Sequence, residues 1–423
     1  MLIRRSYKFR AYPGAETTEQ LTSAIGCVRL VYNLALAQRE MFGRRGRQLD
    51  PQGELPDLKK EFPFLKEEAF SQSLQEAIRD LDKAFANFFA GRAGYPTSRK
   101  KFENDSMRFP QPYHKRKGVQ IVLGRDSVKL PKFGWLTIIR HRKIKGRLRN
   151  VTVKREGERW FVVLQTEIEA KEPVLRADLP AVGLDMGVNQ PVTTSTGEVI
   201  ALPQVSKAEN VRRAHLDRVL SRRKKGSAGR RQARLALRRF HRHVADRRND
   251  ARQKVTTRLV KSHGLIGIED LKVRNMTAST RGATEQPGRN IPQKAGLNRR
   301  LLDVAPYEFR RLLEYKGVWH GSAVIAVSPA YTSQDCSGCG CRCLIGRSER
   351  IFVCPHCGLV IDRDWNAALN VKLRALVEYG RRTGGVCPWI EPECRPEAGT
   401  PKAAMIVLAA MQVGRSLARQ GEV

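Results

Sequence analysis

A mixed fold, α/β with separate all-β and helical parts, is what the sequence predicts, on three observations. Residues 118–168 break into short β-branched segments separated by turns. Residues 70–88 and 210–260 carry apolar side chains at helical spacing. From residue 181 onward, short apolar strands alternate with helical stretches. The 423 residues allow two or three domains at roughly 150 residues each. A hydrophobic share of 41% is enough to bury cores and excludes a disordered basic tail. The 78 Lys and Arg against 42 Asp and Glu leave a formal net charge of +36. That excess goes far beyond what solubility needs and points to a polyanionic partner, most simply nucleic acid. A membrane-surface or ribosome-associated protein is the competing reading of the same charge.

Taken in order, residues 2–12 (LIRRSYKFRAY) alternate basic with apolar or aromatic side chains, as a half-buried strand does, and Pro13 and Gly14 end it. Thr17 and Gln20 have capping-box spacing before a helix carrying Leu21, Val28, Val31 and Tyr32 on one side. A Gly/Pro-rich stretch covers 43–63. Phe70, Leu74, Ile78, Leu81, Phe85 and Phe88 recur at steps of three and four, the pattern of a core-facing helix. Residues 92–101 (RAGYPTSRKK) form a basic loop in which Tyr95, Lys100 and Lys101 are candidates for nucleic-acid contact, a solvated loop being the equal alternative. Segments within 118–168 read as a small β-barrel or antiparallel sheet, and 171–180 as a linker.

Residues 182–200 predict two or three strands in hairpin arrangement. Residues 210–260 hold 18 Lys and Arg against three Asp, a local net of +15. Leu216, Val219 and Leu220, then Leu237, Phe240 and Val244, set one apolar stripe on each of two helices joined at KKGSAGRR. A charge run is usually a solvated helix face. Here few acids are present to balance the bases, so Arg222, Arg223, Lys224, Lys225, Arg230, Arg231, Arg238 and Arg239 are candidate phosphate contacts. Residues 265–271 (LIGIEDL) make an apolar strand ending in two acids, and 273–299 a polar, mobile loop. A helix at 303–319, a buried strand at 323–327 and a helix at 365–379 follow. The N-terminus has no apolar core of signal-peptide length. The longest apolar run, 403–411, falls short of the about 20 residues a bilayer span takes. A soluble, cytoplasmic and nucleoid-associated protein with no membrane partner is expected.

Six of the nine cysteines lie between residues 336 and 357, a metal-binding pattern rather than a disulfide framework. Cys336-x-x-Cys339 and Cys354-x-x-Cys357 can each present two thiolates from a tight turn, together a tetrahedral zinc site. Four thiolates leave no open position, so this zinc would serve folding. Cys341 and Cys343 could replace a ligand or stand by, and His356 is read as exposed rather than bound. Three acids occupy similar settings: Asp185 ends AVGLD, Glu269 ends LIGIE, and Asp364 precedes a helix in IDRDWNAALN. Each alone could be a cap or an ion-pair partner. Three together in so basic a chain are the kind of set that holds two Mg²⁺ or Mn²⁺ ions for phosphodiester hydrolysis. Asp362 competes with Asp364, while Asp270 points to the other strand face and caps or positions the next loop.

The segments GLDMGV, GIEDLKVRNM, TSQDCSGCG and CPHCGLVIDRDWNAALN resemble the signature stretches of the TnpB (OrfB) family, transposon-encoded RNA-guided nucleases related to compact type V CRISPR effectors. YKFRAYP, GCVRLVYN, SLQEAIRDLDKAFANFF and LSRRKKGS extend the likeness over roughly residues 1–375. The resemblance implies a β-barrel wedge domain (1–12 and 113–175) with an inserted helical recognition domain (13–112). It also implies a RuvC-type, RNase H-like nuclease domain (176–331 and 362–380) with an inserted zinc ribbon (332–361), then a disordered tail (381–423). Asp185, Glu269 and Asp364 would be the catalytic acids. A transposon-end RNA would guide the protein to double-stranded DNA beside a short flanking motif, as a monomer or a dimer. A CRISPR effector is the near alternative; a non-cleaving repressor and a DNA-moving transposase are more distant ones. The extra Cys341 and Cys343, and the lack in DARQKVTTRL of a histidine expected in similar proteins near residue 253, depart from the pattern.

Overall fold

The computed structural model describes residues 2–42, 51–102, 105–110, 112–114, 118–169, 174–279, 290–346, 349–384 and 387–390. The tail beyond 390, with its apolar run, and the middle (280–289) of the loop expected at 273–299 lie outside the described residues. The chain divides into two compact units, Met1–Glu172 and Pro173–Val423.

The first unit runs β1 (Leu2–Tyr12), α1 (Ala15–Phe42), α2 (Leu55–Glu61), α3 (Phe64–Glu68), α4 (Ser71–Phe89), β2 (Ser106–Phe109), β3 (Tyr113–His114), β4 (Gly118–Val119), β5 (Val122–Leu123), β6 (Ser127–Leu130), β7 (Gly134–Ile139), β8 (Arg147–Glu156) and β9 (Arg159–Glu169). Its main sheet has the order β2-β8-β9-β1-β7-β6-β5, antiparallel throughout. Among the described residues this ladder ends at β2 and β5, so its hydrogen bonding traces an open sheet rather than a closed barrel. The alternation in β1 does what its period requires. Tyr7, Phe9 and Ala11 go into the core, while Arg4 and Lys8 face out to Glu167 (3.0 Å) and Glu156 (2.7 Å). Leu21, Val28, Val31 and Tyr32 of α1 and Leu74, Ile78 and Leu81 of α4 share one core with sheet residues such as Phe109 and Val162.

Three expectations change here. The helix α1 starts at Ala15, because the Gly14 carbonyl already accepts from Thr18 N–H (2.9 Å). Thr17 and Gln20 therefore lie inside the helix and form no capping box. Part of the Gly/Pro-rich stretch is helical, as α2. The strand β2 falls inside the segment expected to be helical, yet pairs with β8.

The second unit runs β10 (Ala181–Asp185), β11 (Val192–Thr194), β12 (Val199–Ile200), α5 (Lys207–Arg222), α6 (Ala228–Ser262), β13 (Leu265–Glu269), α7 (Val273–Met276), α8 (Ile291–Val304), α9 (Pro306–His320), β14 (Ala323–Val327), β15 (Ile351–Val353), β16 (Val360–Asp362) and α10 (Arg363–Arg382). The sheet order is β12-β11-β10-β13-β14, with β10, β13 and β14 parallel. Val182, Leu184, Ile266 and Ile268 pack with α6 and α9 on one face. Ala181, Leu265 and Ile325 pack with Val371, Ala375 and Leu376 of α10 on the other. Within the loop expected at 273–299, residues 273–276 (α7) and 291–299 (the start of α8) are helical. The expected helix at 303–319 instead begins at Pro306, after Ala305 has taken a left-handed conformation (φ 55°). The stripe on α5 stays half-exposed, and that helix buries no residue.

Gly183 and Gly267 let α10 lie close on the sheet. A Cβ at Gly183 would meet the Ala368 carbonyl oxygen at 2.1 Å and Lys372 N at 2.4 Å; one at Gly267 would meet Ala375 Cβ at 2.7 Å. Gly183→Ala must push the helix off the sheet. We expect a loss of about 3 kcal/mol, read as a Tm lower by roughly 6–12 °C in thermal unfolding of the full chain.

Candidate active site and nucleic-acid surface

Strand alternation decides where the acids go. Gly183 and Asp185, like Gly267 and Glu269, sit two residues apart and so share the α10 face of the sheet. The parallel register Leu184↔Ile268 brings Asp185 and Glu269 to the same strand-end edge. The helix α10 begins over that edge and carries Asp364 in its first turn. Its Oδ2 lies 3.9 Å from where a Cβ on Gly187, in the turn after Asp185, would stand. Glu269 and Asp364 are each only 7% exposed. Burial, then the charges of Glu269 and Asp364, push the Asp185 carboxyl well above the usual carboxylate range. Burial also raises Glu269, against a hydrogen bond from Thr332 Oγ1 (2.6 Å) and the Arg374 charge. Asp364 accepts from Arg350 (2.9 Å) and has Arg363 at 3.5 Å. Half-buried Asp185, with buried Glu269 and Asp364 near enough for their charges to act on it, offers hard oxygen donors at the positive end of a helix, a donor type suited to divalent cations.

The neighbouring acids are otherwise engaged. Asp362 caps α10, its Oδ1 accepting from Asp364 N–H (2.9 Å) and Trp365 N–H (3.0 Å). Asp270 pairs with Lys272 (2.7 Å) and Arg310, on the other face of the strand end. Sequence reasoning missed three polar groups beside the acids. Thr332 holds Glu269. Asn366 and Asn370, one helical turn apart, donate to the Asp335 carbonyl (2.9 and 2.6 Å), and Asn366 accepts from Ser337 N–H (2.9 Å). They fasten the segment that opens the cysteine cluster onto α10. Their i, i+4 spacing in WNAALN was the available signal.

The ligand atoms of Cys336, Cys339, Cys354 and Cys357 all lie within 4.8 Å of one another. The Sγ atoms of Cys336 and Cys357, and of Cys339 and Cys354, are 3.6 Å apart, close to the about 3.8 Å of a tetrahedral four-thiolate zinc site. Around them, among the described residues, stand the β15–β16 hairpin and a small core built on Phe352.

Of the basic candidates, Arg222, Arg223, Lys224, Lys225 and Arg238 project into solvent, and Arg239 is exposed. Arg230 is turned inward, donating to the carbonyls of Leu220 (2.7 Å) and Arg223 (2.8 Å) at the end of α5. Arg231 donates to Gly226 O (3.0 Å) in the turn, where Gly226 has φ +85°. These two arginines therefore hold the α5–α6 hairpin in shape. In the first unit, Tyr95 packs edge-on against Phe85 and Phe88 and stays 47% exposed. Lys100 and Lys101 are exposed, whereas Arg99 is tied to Asp80 (3.0 Å) and lies over the Tyr32 ring. No helix among the described residues is long and apolar enough to cross a membrane.

Family models match three parts of the chain: a "Helix-turn-helix domain" of the IS605 OrfB type (1–46), a "Probable transposase" of the same type (163–280), and a "Cas12f1-like, TNB domain" (307–371). The first of these descriptions covers a strand and one long helix here, β1 and α1. The chain is 37% identical over 373 residues to "Putative RNA-guided DNA endonuclease InsQ" of Escherichia coli K12, covering 87% of this chain and 91% of that one. It is 35% identical over 422 residues to a protein of Streptomyces pristinaespiralis bearing the same name without the suffix, covering 95% and 99%. A cryo-EM structure of a Cas12f1–sgRNA–target DNA complex shares the fold with a TM-score of 0.51 at 14% identity, over 88% of this chain and 99% of that one. With identity at this level over nearly the whole length of both relatives, the chain belongs to the TnpB (OrfB) family.

Proposed function

We propose that the protein is an RNA-guided DNA endonuclease in which Asp185, Glu269 and Asp364 hold the divalent ions of the cleavage site. The observation that carries this is the gathering of half-buried Asp185 and buried Glu269 and Asp364 at one sheet edge, in a chain of net charge +36. Mg²⁺ or Mn²⁺ bound there would activate water for attack on the phosphodiester and neutralise charge on the leaving oxygen. The chain's own groups do the positioning. Thr332 orients Glu269, Arg350 and Arg363 offset charge on Asp364, and the Asp362 cap fixes the start of α10. Cys336, Cys339, Cys354 and Cys357 hold a structural zinc, and the Asn366 and Asn370 contacts tie that ribbon to the nuclease helix. A guide RNA transcribed from a transposon end supplies sequence choice by base pairing, and the protein grips backbone through charge. The first unit, with Tyr95, Lys100 and Lys101, serves as wedge and recognition part and reads a short motif beside the double-stranded target.

Sequencing the RNA that copurifies, then offering the complex a DNA library with matched targets and randomised flanks, tests the proposal. Guided cleavage beside one enriched motif is the expected result. Absence of a defined RNA, or cleavage independent of the match, overturns it. Two neighbouring acids separate cap from ligand. Asp362→Asn keeps its capping oxygen and should leave cleavage within about twofold, while Asp364→Asn should lose it by roughly 10³-fold. Replacing Arg222, Arg223, Lys224 and Lys225 with Ser should flatten the salt dependence of RNA binding. The log–log slope should fall by about 0.7–0.9 for every phosphate that these side chains neutralise in the wild type.

A further inference from the structure

The ribbon carries more metal-binding groups than one ion can use. Besides the four-thiolate set, the ligand atoms of Cys339, Cys341 and His356 also lie within 4.8 Å of one another. The backbone explains why. Cys336 N–H donates to the Cys341 carbonyl (2.9 Å), Gly340 N–H to the Cys336 carbonyl (2.8 Å), and Cys343 N–H to the Gln334 carbonyl (2.9 Å). With Gly340 at φ 76°, the first cysteine turn doubles back and returns Cys341 to the side of Cys339. His356 stands at the exposed crown of the second turn, between Cys354 and Cys357, where Gly358 N–H closes onto the Cys354 carbonyl (3.0 Å). Cys339 is common to both sets.

We propose that the ribbon binds a second thiophilic divalent ion, zinc by its donor set, through Cys339, Cys341 and His356, with Cys339 bridging the two ions and solvent in the remaining position. This rests on the reading of the four-cysteine set as a zinc site. Two thiolates and one imidazole are donors that zinc accepts readily, and sulfur–sulfur or sulfur–nitrogen separations below 4.8 Å need only small closure to reach tetrahedral spacing. Charge favours it as well. Four thiolates around one dication leave two formal negative charges. A second dication brought with one further thiolate leaves one, and the Cys341 proton is released to solvent. The ion would cross-link the two cysteine turns at their exposed side, where few apolar contacts hold them. With three protein donors and solvent exposure it binds more weakly than the enclosed ion. Cys343 is no ligand in this arrangement. It is buried, 3.9 Å from Cys354 Sγ, and fills the core of the ribbon.

Native mass spectrometry of the full chain, stripped of nucleic acid at high salt, saturated with zinc and desalted, counts the ions. Two zinc ions are expected in the wild type, two in Cys343→Ser, and one in Cys341→Ser/His356→Ala, whose retained ion shows that the ribbon still folds. In Co²⁺ titration the second equivalent should add thiolate-to-metal absorption in the wild type and none in the double variant. One zinc in the wild type overturns the second site and leaves the ribbon reading standing. Two in the double variant overturn the assigned ligands. No zinc at all overturns the ribbon reading itself.

Discussion

Asp185→Ala should abolish DNA cleavage, by roughly 10³-fold or more, the rate equivalent of about 4 kcal/mol or more of lost transition-state stabilisation. Guide RNA and target binding should stay nearly unchanged, because the groups proposed to grip backbone lie elsewhere. The variant should also keep or raise its Tm. In the native protein this carboxyl is pushed well up by burial and by the charges of Glu269 and Asp364, so removing it relieves repulsion. Cleavage assays beside calorimetry and filter binding read all three. Normal cutting sinks the assignment of Asp185. Lost cutting accompanied by a large fall in Tm would mean that the residue holds the fold instead.

The second large effect falls on the ribbon. Replacing both Cys336 and Cys339 with Ser should remove its zinc and unfold the segment around residues 332–361. Two strands of three residues each and a core of Phe352 among cysteines cannot stand alone. In small zinc domains the metal supplies about 10–16 kcal/mol of apparent binding energy at neutral pH, which is folding energy. Because Asn366 and Asn370 bind the segment that opens the ribbon, its loss should also free the start of α10 and depress cleavage. Zinc analysis and limited proteolysis measure it. A variant with full zinc and an intact ribbon would move the site to Cys341 and Cys343.

Much of this was legible in the chain because it depends on local spacing. The period of two in residues 2–12 sets which side of β1 is buried, and the period near 3.6 in 70–88 does the same for α4. Two C-x-x-C turns declare a metal site wherever they meet. The acids had a local signature too: VGLD and LIGIE each place a glycine two residues before the acid. Strand alternation alone says that glycine and acid share a face.

What that face met was decided only in three dimensions. Neither glycine indicates by itself that α10 crosses above it, some 180 and 100 residues further along the chain, and carries Asp364 to the same edge. The choice between Asp362 and Asp364 was also tertiary. Both fit an extended stretch, and only the point where the helix begins spends one carboxylate on backbone N–H groups and leaves the other facing Asp185. The basic run followed the same division. Composition located its charge, but the return of α6 beside α5 turned Arg230 inward to the hairpin and engaged exposed Arg231 with the Gly226 carbonyl of the turn. Spacing along the chain thus determined which residues share a face or a turn, since that follows from backbone geometry over a few residues. Which faces meet depends on packing between segments far apart in sequence, and that is where the site was assembled.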